Sequence, residues 1–414
     1  MVTIERTSRA DEIRHVAAAK FEEQGYSATT MNDIAAAVGM LPGSLYHHFA
    51  SKEDIAIAVL SSFDTELDHL GSTVLARQRA APQPPEKNLR QLAAEMTALS
   101  RHHGAAVQLR GFDAPKLASS RLNNALQNRS ASSILAWMET VAATGTLSRR
   151  PDPDVALLTS VLRFWTLQKS FQYLAEDVAA TWPDLICDVL LQGLFPDPPD
   201  DERLDRSKSS GAARELIARW KVEDQSAIDD RSRIIAAARV EFARRGYDST
   251  TVRDIAETAG VRPGTLYRRV ESKEAMLAEI LGKFSGRLSE SVNKIFAVEA
   301  PAVEMLDGLA RVLIHANLKF RDESEIVKTG WSTQYATNSP FNNFWRDTAE
   351  RLQAIQDFLE QADDRGEIRS FAPSNDMAPI VRDVLFLPFR NFGRCTEKRA
   401  LAFFRETSIR GWLT

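Results

Sequence analysis

Two stretches of this chain gather hydrogen-bond donors at the same spacing. PGSLYHHFASKE runs from Pro42 to Glu53, and PGTLYRRVESKE from Pro263 to Glu274. The first carries Ser44, Tyr46, His47, His48 and Lys52; the second carries Thr265, Tyr267, Arg268, Arg269 and Lys273. Hydroxyls, imidazoles, guanidiniums and ammoniums in such density suit phosphate oxygens and base edges. Gly43 and Gly264 permit close approach of a bulky partner. Gly39 to Lys52 contains no acid, and Gly260 to Lys273 sets Arg262, Arg268, Arg269 and Lys273 against Glu271 alone. The whole chain has a net charge of −4, so a nucleic-acid contact has to come from local basic surface of this kind.

Other chemistries find less support. His47 and His48 are neighbours on a helical pattern and point in different directions, which argues against a shared metal; His102 and His103 meet the same objection. There is no phosphate-binding glycine loop, GxSxG elbow, HExxH or Cys/His cluster, so neither catalysis, a cofactor nor a metal is expected. The two cysteines, Cys187 and Cys395, stand far apart in apolar surroundings, as in a reducing cytoplasm. The start lacks the basic end and apolar stretch of a secretory signal, and no apolar run reaches the ~20 residues of a membrane span, so a cytoplasmic protein is expected.

The elements that position these donors are helices. Ile13, Val16, Ala17 and Phe21 form an apolar stripe ending at Gly25, a residue able to close a helix. Thr30 offers an N-cap hydroxyl with Asp33 three residues on, a short helix over 31–38 stops at Gly39, and Pro42 opens the next helix, predicted to reach about Phe49. Ser51 caps the helix after that. Gly246, Thr251, Asp254, Gly260, Pro263 and Ser272 repeat this punctuation, which is that of a helix-turn-helix. Downstream, apolar residues keep three- and four-residue spacing, and no alternating strand pattern appears; an all-α fold follows.

Aligned at an offset of 221, residues 12–55 and 233–276 share 18 identities in 44 positions without a gap. The offset returns at Gly145 and Gly366, and both repeats close on similar phrases, LLQGLF near Gly193 and SIRGWL near Gly411, with a three-residue slip. The expected organisation is a head over 1–56, a helical body over 57–196, a Pro-, Asp- and Ser-rich linker over 197–226 whose Ala212–Trp220 stretch can form a short amphipathic helix, a second head over 227–278 and a second body over 279–414.

Phenylalanine, Gly-Tyr, Thr-Thr, Ile-Ala, Gly, Gly-x-Leu-Tyr and Ser-Lys-Glu keep their spacing in both heads. This signature resembles the amino-terminal region of the TetR/AcrR family of transcriptional regulators, over about 45 residues in each repeat. The resemblance implies an all-α fold, a double-stranded DNA operator, an unidentified small-molecule effector in the helical body, and dimers built through the last two helices. It makes Thr30, Gly43, Ser44, Tyr46, His47, His48 and Lys52, with Thr251, Arg262, Gly264, Thr265, Tyr267, Arg268, Arg269 and Lys273, the candidate DNA contacts. Tyr46 and Tyr267 could instead pack.

Phe112, Trp137, Phe164, Trp165 and Phe171, with Trp331, Tyr335, Phe344 and Phe386, are the candidate pocket aromatics, although core packing accounts for most such residues. Two departures stand out. A fused pair of repeats implies an intramolecular pseudo-dimer on an asymmetric operator, with a homodimer of fused chains as the other assembly. Val270 in place of Phe49 is expected to loosen the second recognition helix. The alternative function is a ligand-binding or protein-interaction module whose heads no longer bind DNA.

Overall fold

The computed structural model describes residues 8–111, 114, 118–148, 152–169, 176–225, 229–330, 339–385 and 395–413, and among these every regular element is helical. The first repeat forms α1 (Arg9–Gln24), α2 (Met31–Val38), α3 (Pro42–Tyr46), α4 (Lys52–Ala80), α5 (Pro85–His102), α6 (Gly104–Gly111), α7 (Ser120–Gln127), α8 (Ala131–Ser148), α9 (Asp152–Phe164), a π-helical turn (Trp165–Lys169) and α10 (Glu176–Gln192). Next come α11 (Asp201–Arg206) and α12 (Lys208–Gln225). The second repeat forms α13 (Asp230–Arg245), α14 (Val252–Ala259), α15 (Pro263–Arg269), α16 (Lys273–Phe296), α17 (Ala302–Lys319), α18 (Arg321–Thr329), α19 (Asn342–Asp364), α20 (Ser374–Leu385), α21 (Glu397–Phe404) and a closing π turn (Arg405–Ile409).

The chain divides into two compact units, Met1–Thr144 with Leu158–Pro183, and Gly145–Leu157 with Asp184–Thr414. The second unit therefore includes the last turns of α10, which belong to the first repeat.

In the first unit, Ile13, Ala17 and Phe21 bury one stripe of α1 against α2, α4 and α6. The predicted caps are present: Thr30 and Asp33 form a reciprocal capping box, and Gly39 ends α2 at φ 73°. Pro42 stands at the first turn of α3, and the Ser51 hydroxyl accepts from the Asp54 amide at 3.2 Å. Helix α3 ends at Tyr46, three residues short of the expected Phe49. There the His47 and His48 amides donate to Ser44 and Leu45, so the last turn tightens to i→i−3 bonds.

In the second unit the head repeats these features, with the Thr251–Asp254 capping box and Gly260 at φ 66°. Its recognition helix α15 keeps α-helical form to Arg269. Val270 is not a loose seat: it is 3% exposed, extended at φ −138°, and its amide donates to Leu266 at 2.9 Å. A β-branched side chain suits that backbone.

Within the expected linker over 197–226, the described residues 197–225 are largely helical. Asp200 caps α11, and α12 lays Ala213, Leu216 and Trp220 on α17. The buried Arg405 guanidinium bonds Asp307 at 2.6 and 2.9 Å and reaches Asp205 of α11 at 2.8 Å. Arg311 also holds Asp205, at 2.6 Å, and Arg410 pairs with Asp201. The acids that read as unpacked linker are caps and ion-pair partners.

The end of α10 and the end of the chain form a reciprocal backbone clasp inside this unit. The Leu194 amide donates to Ser408 at 2.8 Å and Trp412 to Leu190 at 2.9 Å; Phe195 donates to Ile409 at 3.2 Å and Leu413 to Leu191 at 3.0 Å. Each bond maps onto its mate by a shift of 218 residues, the offset of 221 less the three-residue slip. Gly193 and Gly411 sit at the crossing, with φ of 72° and 102°. A Cβ on Gly193 would strike the Arg410 backbone, and one on Gly411 the Gln192 backbone.

Candidate nucleic-acid interface

Each head places its donors outward. Ser44, Tyr46, His47 and His48 are exposed on or just after α3, Tyr46 by 52%. On α15, Tyr267 is 63% exposed, Arg268 and Arg269 are exposed, and Thr265 is half-buried. Leu45 and Leu266 turn inward and anchor the two helices. A Cβ added at Gly43 or Gly264 would meet nothing in the chain, so the protein's own packing does not require glycine there. Arg268 touches the Thr265 hydroxyl at 3.4 Å, and Arg269 lies 3.9 Å from Asp230, distances that leave both guanidiniums available. Arg262, at the N-cap of α15, is exposed.

Other candidates are occupied. The Thr30 hydroxyl donates to Asp33 at 2.6 Å and accepts from the Asp33 amide at 3.2 Å; Thr251 does the same with Asp254 at 2.7 and 3.2 Å. These bonds hold the Asp33 and Asp254 carboxyls below the ordinary carboxylate range. The Lys52 ammonium donates to the Tyr26 and Thr29 carbonyls, both at 2.7 Å, and lies 4.4 Å from the centre of the Tyr26 ring. Lys273 likewise reaches Tyr247 at 3.0 Å and Thr250 at 3.2 Å, over the Tyr247 ring. Both lysines are clamps on the turn after the first helix of their head, and a phosphate contact through either would require those bonds to open.

Residues outside the sequence-based set complete the clamp. Thr29 and Thr250 are buried, and their hydroxyls donate to the Gly25 and Gly246 carbonyls at 2.8 and 2.7 Å. Burial, then the bond to Glu274, pushes the Tyr247 phenol up. The repeated Gly-Tyr-x-x-Thr-Thr spacing was the available signal for these positions.

Of the pocket candidates, Phe112, Phe171, Trp331, Tyr335 and Phe386 lie outside the described residues. Trp137 and Trp165 are fully buried, Phe164 is half-buried, and Phe344 stacks on Phe284 at 6.1 Å. Trp165 lies 5.9 Å from Trp182. Beside this aromatic core, the first body brings three arginines near one another, Arg110 and Arg163 half-buried and Arg129 exposed, a grouping that sequence separation had hidden. Arg110 on α6 pairs with buried Asp64 at 2.7 Å, and Arg129 before α8 donates to the Leu126 and Asn128 carbonyls at 2.8 and 2.7 Å.

Arg163 on α9 is half-buried and has no carboxylate or carbonyl partner among the described residues. Its Nε is buried without an acceptor, and so is the hydroxyl of Thr159 one turn earlier on the same face. Burial, then the charges of Arg129 and Arg110, lowers Arg163 to about 10. A π turn follows at Trp165, a departure from α-helix that often accompanies function. In the second body Arg351 is likewise lowered to about 10 by burial, while it donates to the Ser285, Ser289 and Thr348 hydroxyls at 2.8, 3.0 and 2.7 Å.

A short capped helix, a left-handed glycine turn and a donor-bearing helix, present twice, define a helix-turn-helix DNA-binding regulator. A profile of bacterial regulatory proteins of the tetR family matches residues 13–59 and 234–280. The chain belongs to that family. It is 35% identical over 158 residues to the HTH-type transcriptional repressor KstR2 of Mycobacterium tuberculosis, covering 38% of this chain and 76% of the relative. It is 25% identical over 187 residues to the repressor AcnR of Corynebacterium efficiens, covering 44% and 94%. The solved structure of KstR2 of Mycobacterium tuberculosis matches with 24% identity and a TM-score of 0.40, over 44% of this chain and 97% of that one. Each match spans most of the relative and less than half of this chain, about one repeat.

Proposed function

We propose that this chain is a transcriptional repressor that binds an asymmetric operator as an intramolecular pair, one head per half-site, and that an anionic small molecule in the first body releases it. The observation that carries the pairing is the reciprocal clasp between residues 190–195 and 408–413. Its bonds are isologous in form, the pattern of a two-fold interface, yet both sides come from one chain. Two relatives named as transcriptional repressors support repression. The outward donors Ser44, Tyr46, His47, His48, Thr265, Tyr267, Arg268 and Arg269, with Arg262, are the proposed contacts, and Gly43 and Gly264 leave room for the duplex. Thr30, Lys52, Thr251 and Lys273 are proposed as positioning residues.

The effector reading rests on Arg163. A half-buried guanidinium whose Nε is buried without an acceptor, near two other arginines with one carboxylate among them, supports an anionic occupant. Light scattering with operator titration tests the assembly. The expected result is the mass of one chain and one chain per operator at every dilution; two chains per operator would replace the pair with a dimer of fused chains.

A further inference from the structure

The N-cap residues that lead into the two recognition helices match in backbone conformation and are opposed in chemistry. Leu41 and Arg262 occupy the same N-cap position, 221 residues apart, with φ/ψ of −71°/144° and −72°/143°. Their carbonyls accept equivalent bonds, from Ser44 and Leu45 at 2.9 and 3.3 Å, and from Thr265 and Leu266 at 2.8 and 3.2 Å. The two side chains therefore leave the backbone in the same direction. Leu41 is 76% exposed, the largest exposure among the large apolar side chains of the described residues, and it contributes almost nothing to the core. A lone exposed leucine is ordinary on a protein surface. This one stands at the tip of a reading head, between the glycine turn and the exposed donors of α3.

In a major groove the thymine C5-methyl is the apolar feature that distinguishes base pairs, and the guanine O6/N7 edge is the one a guanidinium grips with two bonds. Resting on the reading of both heads as DNA readers, we infer that Leu41 is a specificity residue for a thymine methyl in the half-site under the first head, while Arg262 selects a guanine in the half-site under the second. The remaining differences run the same way. His47 and His48 add no fixed charge to the first head, whereas Arg268 and Arg269 add two to the second. The first half-site is read by shape and methyl contact, the second by cationic hydrogen bonding.

The test uses the full chain and an operator obtained by in vitro selection, with affinity measured by fluorescence anisotropy. Uracil in place of thymine removes only the methyl group, and 7-deazaguanine removes only N7. Uracil at the Leu41 contact is expected to weaken wild-type binding about fourfold, the factor for one buried methyl-sized group. Leu41→Ala abolishes that sensitivity, and 7-deazaguanine in the other half-site weakens binding roughly fivefold or more in a way that Arg262→Ala removes. Leu41→Arg shifts the selected base in the first half-site from thymine to guanine. An operator bound equally with uracil throughout, or a Leu41→Ala chain that keeps the methyl sensitivity, overturns the assignment while leaving the repressor reading intact. Selection of no operator overturns both.

Discussion

Replacing Arg163 by methionine is expected to make the free protein more stable and deaf to its effector. At pH 7 the guanidinium is charged in both the folded and the unfolded chain. A folded value of about 10 against 12.5 means that folding carries the penalty of holding that charge in place. The difference corresponds to roughly 3 kcal/mol. It would fade only as pH rises through about 10, so neutral methionine removes it at all ordinary pH values, while its unbranched chain fills the space of the arginine stem. Allowing for partial exposure and relaxation, a net gain of about 1–3 kcal/mol is expected, or several degrees in Tm. Thermal melts in chloride at fixed ionic strength measure it. Adding inorganic phosphate or acetate at the same ionic strength should raise the wild-type Tm and leave Arg163→Met unmoved, because an anion that binds only the folded state stabilises by mass action. A variant that melts below wild type by more than about 1 kcal/mol would mean that the charge is already compensated, and the argument for an anionic effector would fail.

Three further outcomes follow from the geometry. Gly411→Ala places a Cβ against the Gln192 backbone at φ 102° and is expected to cost about 2–4 kcal/mol in urea unfolding, whereas a change below ~0.5 kcal/mol would show that the clasp does not hold. Lys273→Met should lower the melting temperature of the second head by the loss of its carbonyl bonds, about 1–2 kcal/mol, and leave the salt dependence of operator binding unchanged; a slope reduced by about one would identify a phosphate contact instead. The depressed Asp33 and Asp254 carboxyls contribute stability above the unfolded value of about 3.9 that is lost as pH falls through their lower folded values, so the urea midpoint should drop more steeply below pH 4 in wild type than in an Asp33→Asn, Asp254→Asn double variant.

The heads were legible because their information is local. Caps, glycine stops and the proline at a first turn act over three or four residues, and Thr30, Gly39, Pro42 and Ser51 with their counterparts mark the helix starts and the glycine stop that the structure has. What escaped depends on residues far apart in sequence. Arg110, Arg129 and Arg163 come together only when α6, the turn before α8, and α9 pack. Asp205 and Asp201 read as solvated linker because their partners, Arg405 and Arg410, lie 200 and 209 residues downstream. Lysine at the Ser-Lys-Glu position looks like a phosphate anchor in sequence, and only the fold brings three carbonyls under its ammonium. The three-residue slip between the closing phrases was visible, but its meaning, two backbone segments bonding each other symmetrically, needed coordinates.

The clasp at Gly193 and Gly411 bears on inheritance. In a regulator assembled from separate identical subunits, a defective copy can enter mixed dimers and disable working ones. Here the complementary backbone of residues 190–195 is already filled by residues 408–413 of the same polypeptide. In the intramolecular pair proposed above, that surface is closed to a damaged sibling. Co-expressing a head-defective copy beside the intact one should therefore leave repression at the level set by the intact chains, making such lesions recessive where a two-subunit relative would suffer interference.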